Sequence, residues 1–466
     1  MRNSSKQMLT AAILLTLLGG AAGEVYAATP VSVNGTEESA NLSNVSITNP
    51  TYVVRVFNNG ILKATGKDNT NISLSGTKEG TGAWDNILVK TGGQVTLGDK
   101  STQNINITAE GGTPTGITAL LDGAKVNITG KEVNITAHGS KYAYGVWAQS
   151  NDITRANPSI ININADNTVI DVSTDKTTIE GGENQAIGII SYSGSTVNIS
   201  GNLTVNAPTV ISTRGNSEVN INKEGKGTVK LNGDISFNYN APTSGTGIDS
   251  NVNTNLTDAD SVLNGNIIKT GNAPSEKATV DKMTLSLSNN ATWNTTADSF
   301  VNNLNLSNGG TVNLNGDTHT IDIVNKLSSD GGVVSTANLD SKLVVDSAAA
   351  TDVKKLTVKG TGAMADQIAK DSSMASKLAD VVTTSGDAGK SIATNVTTDE
   401  GVIAGAYNGT VNADGTVSGK QSINTSNQGI SSMAAISMMT WRQENNDMNK
   451  RLGEIRDSKG KEGVWA

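Results

Sequence analysis

The sequence predicts an all-β chain: a right-handed parallel β-helix (a solenoid) followed by a C-terminal linker α-helix. Short runs such as VNIT and ININ alternate apolar and polar residues along most of its length, and they recur in similar blocks tens of residues apart. Beyond about residue 430 the period changes from two to that of a helix.

Composition sets the frame. Only 36% of the 466 residues are hydrophobic and only three are Phe, too few to fill a wide globular interior but enough for an elongated repeat. Gly numbers 50 and Pro 7, and the body is rich in Asn, Thr, Ser, Val and Ile, which suits many short strands separated by turns. Disorder is excluded because β-branched residues recur in ordered alternation and the net charge is only −8. That acidity is spread along the chain and leaves no basic patch, so nucleic acid is not an expected partner. There is no Cys, hence no disulfide partner, and stability must come from packing.

Residues 1–27 read as a signal peptide: Arg2 and Lys6, an apolar run from Met8 to Leu18, then small residues ending in VYA at Val25 to Ala27. Cleavage is expected between Ala27 and Ala28. The apolar run is too short for a permanent span, and no later stretch reaches the roughly 18 apolar residues that one needs. The mature chain is therefore expected to be exported.

From Ala28 to about residue 290 the alternating runs include INIT at Ile105 to Thr108, VNIT at Val126 to Thr129 and at Val133 to Thr136, ININ at Ile161 to Asn164, and VNIN at Val219 to Asn222. Each puts Val or Ile on one face and Asn or Thr on the other. A second element precedes several of them: GITALLDGAKVNI from Gly116, GVWAQS from Gly145, AIGIISYSGSTVNI from Ala186 and VISTRGNSEVNI from Val210. Such loose self-similarity marks a solenoid whose coils differ by insertions. A sandwich or jelly roll would need many hairpins, and Asn-Gly turns such as Asn59-Gly60 are too few to supply them. In stacked parallel coils, Asn and Thr at matching positions would form polar ladders while Val and Ile fill a narrow interior.

Two segments carry helical periodicity. AMADQIAKDSSMASKLADVV, Ala363 to Val382, spaces Met364, Ile368, Ala375, Leu378 and Val382 as one short helix inserted in a loop. The other runs from about Ile430 to Asp457, with Ser426 or Asn427 placed to cap it and a thin apolar stripe at Ile430, Met433, Ile436, Met448, Leu452 and Ile455. It would span about 42 Å, comparable with a membrane including its headgroups, yet it is far too polar to face lipid. The wet lumen of a β-barrel, a coiled-coil tail and a surface helix all fit its composition.

The segment TWRQENNDMNKRLGEIRDSKGKEGVWA, Thr440 to Ala466, resembles the junction between passenger and barrel in monomeric (type V) autotransporters, where a helix of the form N-K-R-hydrophobic-G-acidic-hydrophobic-R-D leads into G-x-W-A at the first barrel strand. A second stretch, ATWNTTADSFVNNLNLSNGGTVNL at Ala291 to Leu314, with SKLVV at Ser341 to Val345 and LTVKGTG at Leu356 to Gly362, resembles the C-terminal passenger region of pertactin-like proteins. In that family this autochaperone end templates the folding of the rest. The resemblance implies an autochaperone core of Trp293, Val301, Leu304, Leu306, Val312 and Leu314.

The resemblance also implies a division of the chain: signal peptide 1–27, β-helix passenger 28–290, pertactin-like autochaperone part 291–424, linker helix 425–460, and a stub of the first barrel strand at 461–466. The outer-membrane β-barrel itself is expected to be missing, so that the chain is a truncated sequence or a gene fragment. The implied partners are that barrel, the barrel-assembly machinery, and a host or neighbouring cell surface; the implied location of a full-length form is the cell surface and outer membrane. Protease-type members cleave themselves at an Asn pair in the linker. Aligned on NKR at Asn449 to Arg451, that pair falls on Asn446 and Asp447, so the second Asn is lost, and Asn445-Asn446 lies one residue out of register. The passenger is expected to stay attached.

The search for chemistry comes back nearly empty. His138 and His319 are far apart in polar turn contexts and are expected to be solvated loop residues, with no support for a metal site or a Ser-His-Asp arrangement. G-D-S-G and G-x-S-x-G are absent. Gly389-Lys390-Ser391 mimics the end of a phosphate loop, but Thr384 stands where that motif needs Gly, and a turn is expected. Asp258, Asp260 and Asn264 lack calcium-loop spacing and read as a solvated acidic loop. Asn-x-Ser/Thr tripeptides at Asn106, Asn127 and Asn134 follow from the alternation alone. No catalytic, metal or cofactor-binding residue and no cofactor is expected. The expected function is a non-enzymatic adhesin or surface-structure protein; the alternatives are a carbohydrate-active enzyme on a pectate-lyase-like β-helix, and a non-functional truncated fragment.

Overall fold

The computed structural model describes residues 29–175, 186–238, 250–270, 282–314, 316–386 and 391–457. The signal peptide with Ala27 and Ala28, Gly389-Lys390 of the phosphate-loop mimic and the segment 458–466 lie outside the described residues. Strands account for 58% of the chain, and parallel pairing joins them into a solenoid-like sheet.

Three parallel ladders run side by side. The first begins with Val31–Asn34, Tyr52–Phe57, Ala83–Lys90, Thr113–Leu120, Ala143–Gln149 and Ala186–Tyr192, each strand pairing with the next. The second begins with Glu37–Ser39, Ile61–Ala64 and Gln94–Leu97, the third with Val45–Thr48, Asn71–Thr77 and Asn104–Glu110. Both then continue into Lys125–Gly139, whose two halves serve one ladder each. The pairing runs on through residue 290, where Leu263, Trp293 and Val312 stand in register. Asn59-Gly60 is no hairpin, because the strands on either side of it, Tyr52–Phe57 and Ile61–Ala64, belong to different ladders.

Period-two alternation explains what each strand does. Val126, Ile161, Val197, Val219 and Val252 lie one above another, and all are fully buried. With coils roughly 4.8 Å apart, such a column packs side chain on side chain, and each burial contributes about 1.5–3 kcal/mol. The neighbouring positions point out and carry the expected polar ladders. Asn162 Nδ2 donates to Asn127 Oδ1 at 2.8 Å, Asn198 to Asn162 at 2.8 Å, Asn220 to Asn198 at 2.8 Å and Asn253 to Asn220 at 2.9 Å.

The corners between the first and second ladders, and between the second and third, are built from left-handed residues. Asn58 and Asn59, Ser193 and Gly194, Asn289 and Asn290, and Asn308 and Gly309 all have φ between 46° and 82°. Asn tolerates this region because its short polar side chain bonds locally. The corners also bond coil to coil: Asn290 N donates to Asn308 O at 3.1 Å, and Gly309 N to Gly331 O at 2.9 Å.

The C-terminal end is closed differently. Asn395–Thr398, Tyr407–Val411 and Val417–Gln421 pair antiparallel, next to two short helices, α1 (Met364–Lys370) and α2 (Ser373–Ala379). The single helix expected over Ala363 to Val382 is therefore two. Asp371 is extended at φ −143° and its carboxylate accepts from Ser373 N at 2.9 Å, so the chain turns there instead of continuing. Met364, Ile368, Ala375 and Leu378 are buried, as their spacing implies.

The last helix, α3 (Thr425–Asp457), begins five residues before Ile430, so Ser426 and Asn427 lie inside it and do not cap it. Its start is set by polar contacts that the apolar stripe does not report. Asn424 Nδ2 donates to Gly401 O at 2.8 Å and to Ala404 O at 3.2 Å, and Thr425 Oγ1 donates to Glu400 Oε2 at 2.8 Å. Met433, Ile436, Met439 and Trp441 along α3 are 63–71% exposed. Among the described residues no helix is long and apolar enough to cross a membrane.

Candidate ligand-binding face

The outer surface of the first ladder differs from the other two. In place of Asn and Thr it carries Tyr52, Phe57, Tyr144, Trp147 and Tyr192, in a chain that is only 3% aromatic, together with Arg55 and Arg214. Strict alternation would not put Tyr144 and Trp147, three residues apart, on one side of a strand. A one-residue slip, repeated from coil to coil at Val53, Asn86, Gly116, Gly145, Gly188 and Val210, makes it possible. The register passes from Thr115↔Tyr144 to Ile117↔Val146 and skips Gly145, where the alternation slips by one. A Cβ on Gly145 would lie 2.5 Å from the Gly188 carbonyl oxygen and 2.6 Å from an Ile170 methyl, so only Gly fits. Gly116 and Gly188 occupy the equivalent place in the coils before and after, which is why the GITALL, GVWAQS and AIGIISY blocks share a glycine.

Down the middle of this face the register aligns Arg55, Leu88, Thr118, Trp147, Ile190 and Ser212, one per coil. Leu88, Thr118, Ile190 and Ser212 are buried beneath their neighbours, and only Arg55 and Trp147 reach the surface, both half-buried. Five coil steps at roughly 4.8 Å make a stripe about 24 Å long. The rings lock one another by edge-to-face contact: Tyr144 and Trp147 have centroids 5.1 Å apart at 74°, and Trp147 and Tyr192 are 6.4 Å apart at 74°. Trp147 Nε1 donates to Gln149 Oε1 at 3.2 Å, and the Tyr192 hydroxyl is 2.8 Å from Ser212 Oγ.

Each end of the stripe holds a guanidinium over an aromatic ring. Arg55 Cζ is 4.3 Å from the Phe57 centroid and 5.5 Å from that of Tyr52; Arg214 Cζ is 4.0 Å from that of Tyr192. Both Nε atoms are buried without a hydrogen-bond partner. Between the ends, Asp85 accepts a hydrogen bond from Thr118. Burial pushes its carboxyl up, against that bond and the charge of Lys90.

The sequence-derived residues fall elsewhere. Trp293, Val301, Leu304, Leu306, Val312 and Leu314 are all buried, and Trp293 Nε1 donates to Gly265 O at 2.9 Å. Asn446 and Asp447 are exposed on α3, and Asn445 is half-buried. Asp258 closes its own turn: Oδ1 accepts from Asp260 N at 3.1 Å and Ser261 Oγ at 3.0 Å, and Oδ2 from Thr228 Oγ1 at 2.6 Å. Burial would raise that carboxyl, but the bonds from Thr228 and Ser261 outweigh it and hold it down. Among the described residues no three His, Cys, Asp or Glu are placed to hold a metal ion.

Both histidines depart from the expected solvated turn. His319 is buried, its Nδ1 2.7 Å from Asp317 O and its Nε2 enclosed without a partner. His138 sits on a strand, with Nδ1 2.8 Å from Ser173 Oγ and Nε2 3.0 Å from Asp175 Oδ1. This Ser-His-Asp grouping is invisible in the sequence because residues 138 and 173 meet only through the coil register. It stands on an open surface, with the His138 and Asp175 side chains 45% and 65% exposed. The three side chains bridge successive coils, with the hydroxyl on Nδ1 and the carboxylate on Nε2.

One cavity, of about 60 Å³, opens beside Lys269, Phe300, Asp322 and Asp346. Lys269 Nζ lies 4.4 Å from the Phe300 centroid, and burial lowers its ammonium pKa against the opposing charge of Asp322. That space takes a few waters and no sugar ring.

The chain was compared with models of protein families, with curated proteins and with solved structures, and nothing matched in any of the three.

Proposed function

We propose that the chain is the passenger of a bacterial autotransporter: a right-handed parallel β-helix, exported and displayed at the cell surface, that works as a non-enzymatic adhesin through the aromatic face. The aromatic stripe carries the reading. The half-buried rings of Tyr52, Phe57, Tyr144 and Trp147, with two guanidinium groups that have no polar partner among the described residues, gather on one face beside two faces of Asn and Thr. Such groups are costly to expose without a binding role. The exposed, mostly polar α3 suits the lumen of a β-barrel, and the resemblance of Thr440 to Ala466 to the passenger–barrel junction supports the same role.

The test joins the full chain to an autotransporter barrel in a bacterial host and measures both display and attachment to epithelial cells or matrix. Added protease should degrade the solenoid on intact cells, and attachment should drop when Trp147→Ala removes the central ring. A chain that stays protected inside the cell would refute display. Attachment that is indifferent to Trp147→Ala would refute the role given to this face.

A further inference from the structure

We propose that the occupant of the aromatic face is an acidic polysaccharide carrying uronate carboxylates, lying along the stripe between Arg55 and Arg214. The inference rests on the adhesin reading and names its ligand class. Four features of the face carry it.

Shape comes first. Arg55 and Arg214 stand five coil steps, about 24 Å, apart with the half-buried Trp147 between them, a spacing that suits an extended chain better than a compact molecule. Recognition must also go through side chains. A peptide that binds by strand addition needs an open sheet edge, and here each strand of the stripe is already paired to the coil before it and the coil after it.

The third feature is the rings. Tyr144 and Trp147 are half-buried and braced edge to face, so the area they leave open is rigid and apolar. The weakly positive C–H groups on one face of a pyranose complement the negative face of an aromatic ring.

Charge is the fourth. The protein is acidic overall, yet among the described residues neither Arg55 nor Arg214 forms an ion pair or a hydrogen bond; each is held only against aromatic rings. A ring-braced guanidinium keeps its planar fork oriented toward a carboxylate. Lys90 adds a third cation on the same face, and the one acid within the stripe, Asp85, accepts a hydrogen bond from Thr118. An acidic chain therefore meets a guanidinium at each end of the row, with the single carboxylate of Asp85 between them already engaged by Thr118.

The experiment measures equilibrium binding of the full chain to immobilised alginate, with dextran, dextran sulfate and polyglutamate as parallel surfaces. Alginate should bind and dextran should not. Arg55→Gln and Arg214→Gln should each weaken alginate about tenfold, the scale of one charge-assisted hydrogen-bond pair, with unchanged circular dichroism. Arg55→Lys and Arg214→Lys, which keep the charge and lose the fork, should fall between wild type and Gln. Equal binding to dextran would overturn the role of the carboxylate, and retention by dextran sulfate alone would reassign the face to sulfate. Equal retention by polyglutamate would reduce it to unspecific charge. Variants that fold and bind within twofold of wild type would remove the two arginines from the site. If alginate fails while displayed cells still need Trp147 to attach, the ligand class is wrong and the adhesin reading stands; if both fail, both fall.

Discussion

Asn206 Nδ2 donates to the Asp171 carboxylate at 2.5 Å, and this contact is the first rung of an amide ladder that climbs the outside of the third ladder of strands. Asn232 donates to Asn206 at 2.7 Å, Asn264 to Asn232 at 2.8 Å, Asn294 to Asn264 at 2.7 Å and Asn313 to Asn294 at 2.6 Å. Every amide gives its proton to the coil before it, so the row has one direction and ends on an acceptor-only group.

The two amide ladders differ in burial, and the difference predicts their worth. Asn220 is buried, and Asn220→Ala leaves Asn198 Oδ1 and Asn253 Nδ2, both on half-buried side chains, without their partner. The expected loss is about 1–3 kcal/mol by urea denaturation. Asn264→Ala removes the same chemistry from an exposed row, where water replaces the partners, and should cost less than about 1 kcal/mol. Equal losses would mean that burial does not set the strength of the ladder.

Trp293 fills the interior between Leu263 and Val312 and satisfies its indole N–H on Gly265 O. Trp293→Ala should therefore destabilise the chain by about 3–5 kcal/mol, through lost contacts and the cavity left behind. A change below about 1 kcal/mol would show that the coils around it collapse onto the gap.

Gly145→Ala tests the construction of the aromatic face. The new methyl would press on the Gly188 carbonyl and on Ile170, at an expected cost of about 1–3 kcal/mol. Tryptophan fluorescence should shift at the same time, because Trp147 stands two residues away on the displaced strand. An unshifted spectrum with unchanged stability would mean that the glycine column is not required.

Asp366 gives the C-terminal cap a definite pH dependence. Its carboxylate accepts from Ala404 N at 2.6 Å, Ile403 N at 2.9 Å and Val402 N at 2.8 Å, and those bonds hold its pKa below the ordinary 3.8. A depressed folded pKa means that the ionised form stabilises the fold above the ordinary value, and that this contribution is lost as pH falls through the folded value. Asp366→Asn should lower Tm at pH 7 and flatten the acid side of the Tm–pH curve. An acid side as steep as that of wild type would assign the loss to other carboxylates.

Period two alone made the stacked coils, the buried Val and Ile columns and the outward Asn rows legible, because alternation is a local property of the chain. The clustering of Tyr52, Arg55, Trp147, Tyr192 and Arg214 was not legible, although each lies in plain view. Their meeting depends on coil lengths that vary with insertions, and on a one-residue slip at Gly145 that period counting reads as noise. The same reason hid the contact of His138 with Ser173 and Asp175, and the burial of His319.

By itself, the sequence determined which residues face in and which face out, since that follows from neighbours along the chain. Only the tertiary structure decided which outward residues share a face, because that depends on the register between coils, set by backbone hydrogen bonds across tens of residues. The face proposed to bind ligand belongs wholly to this second kind of information.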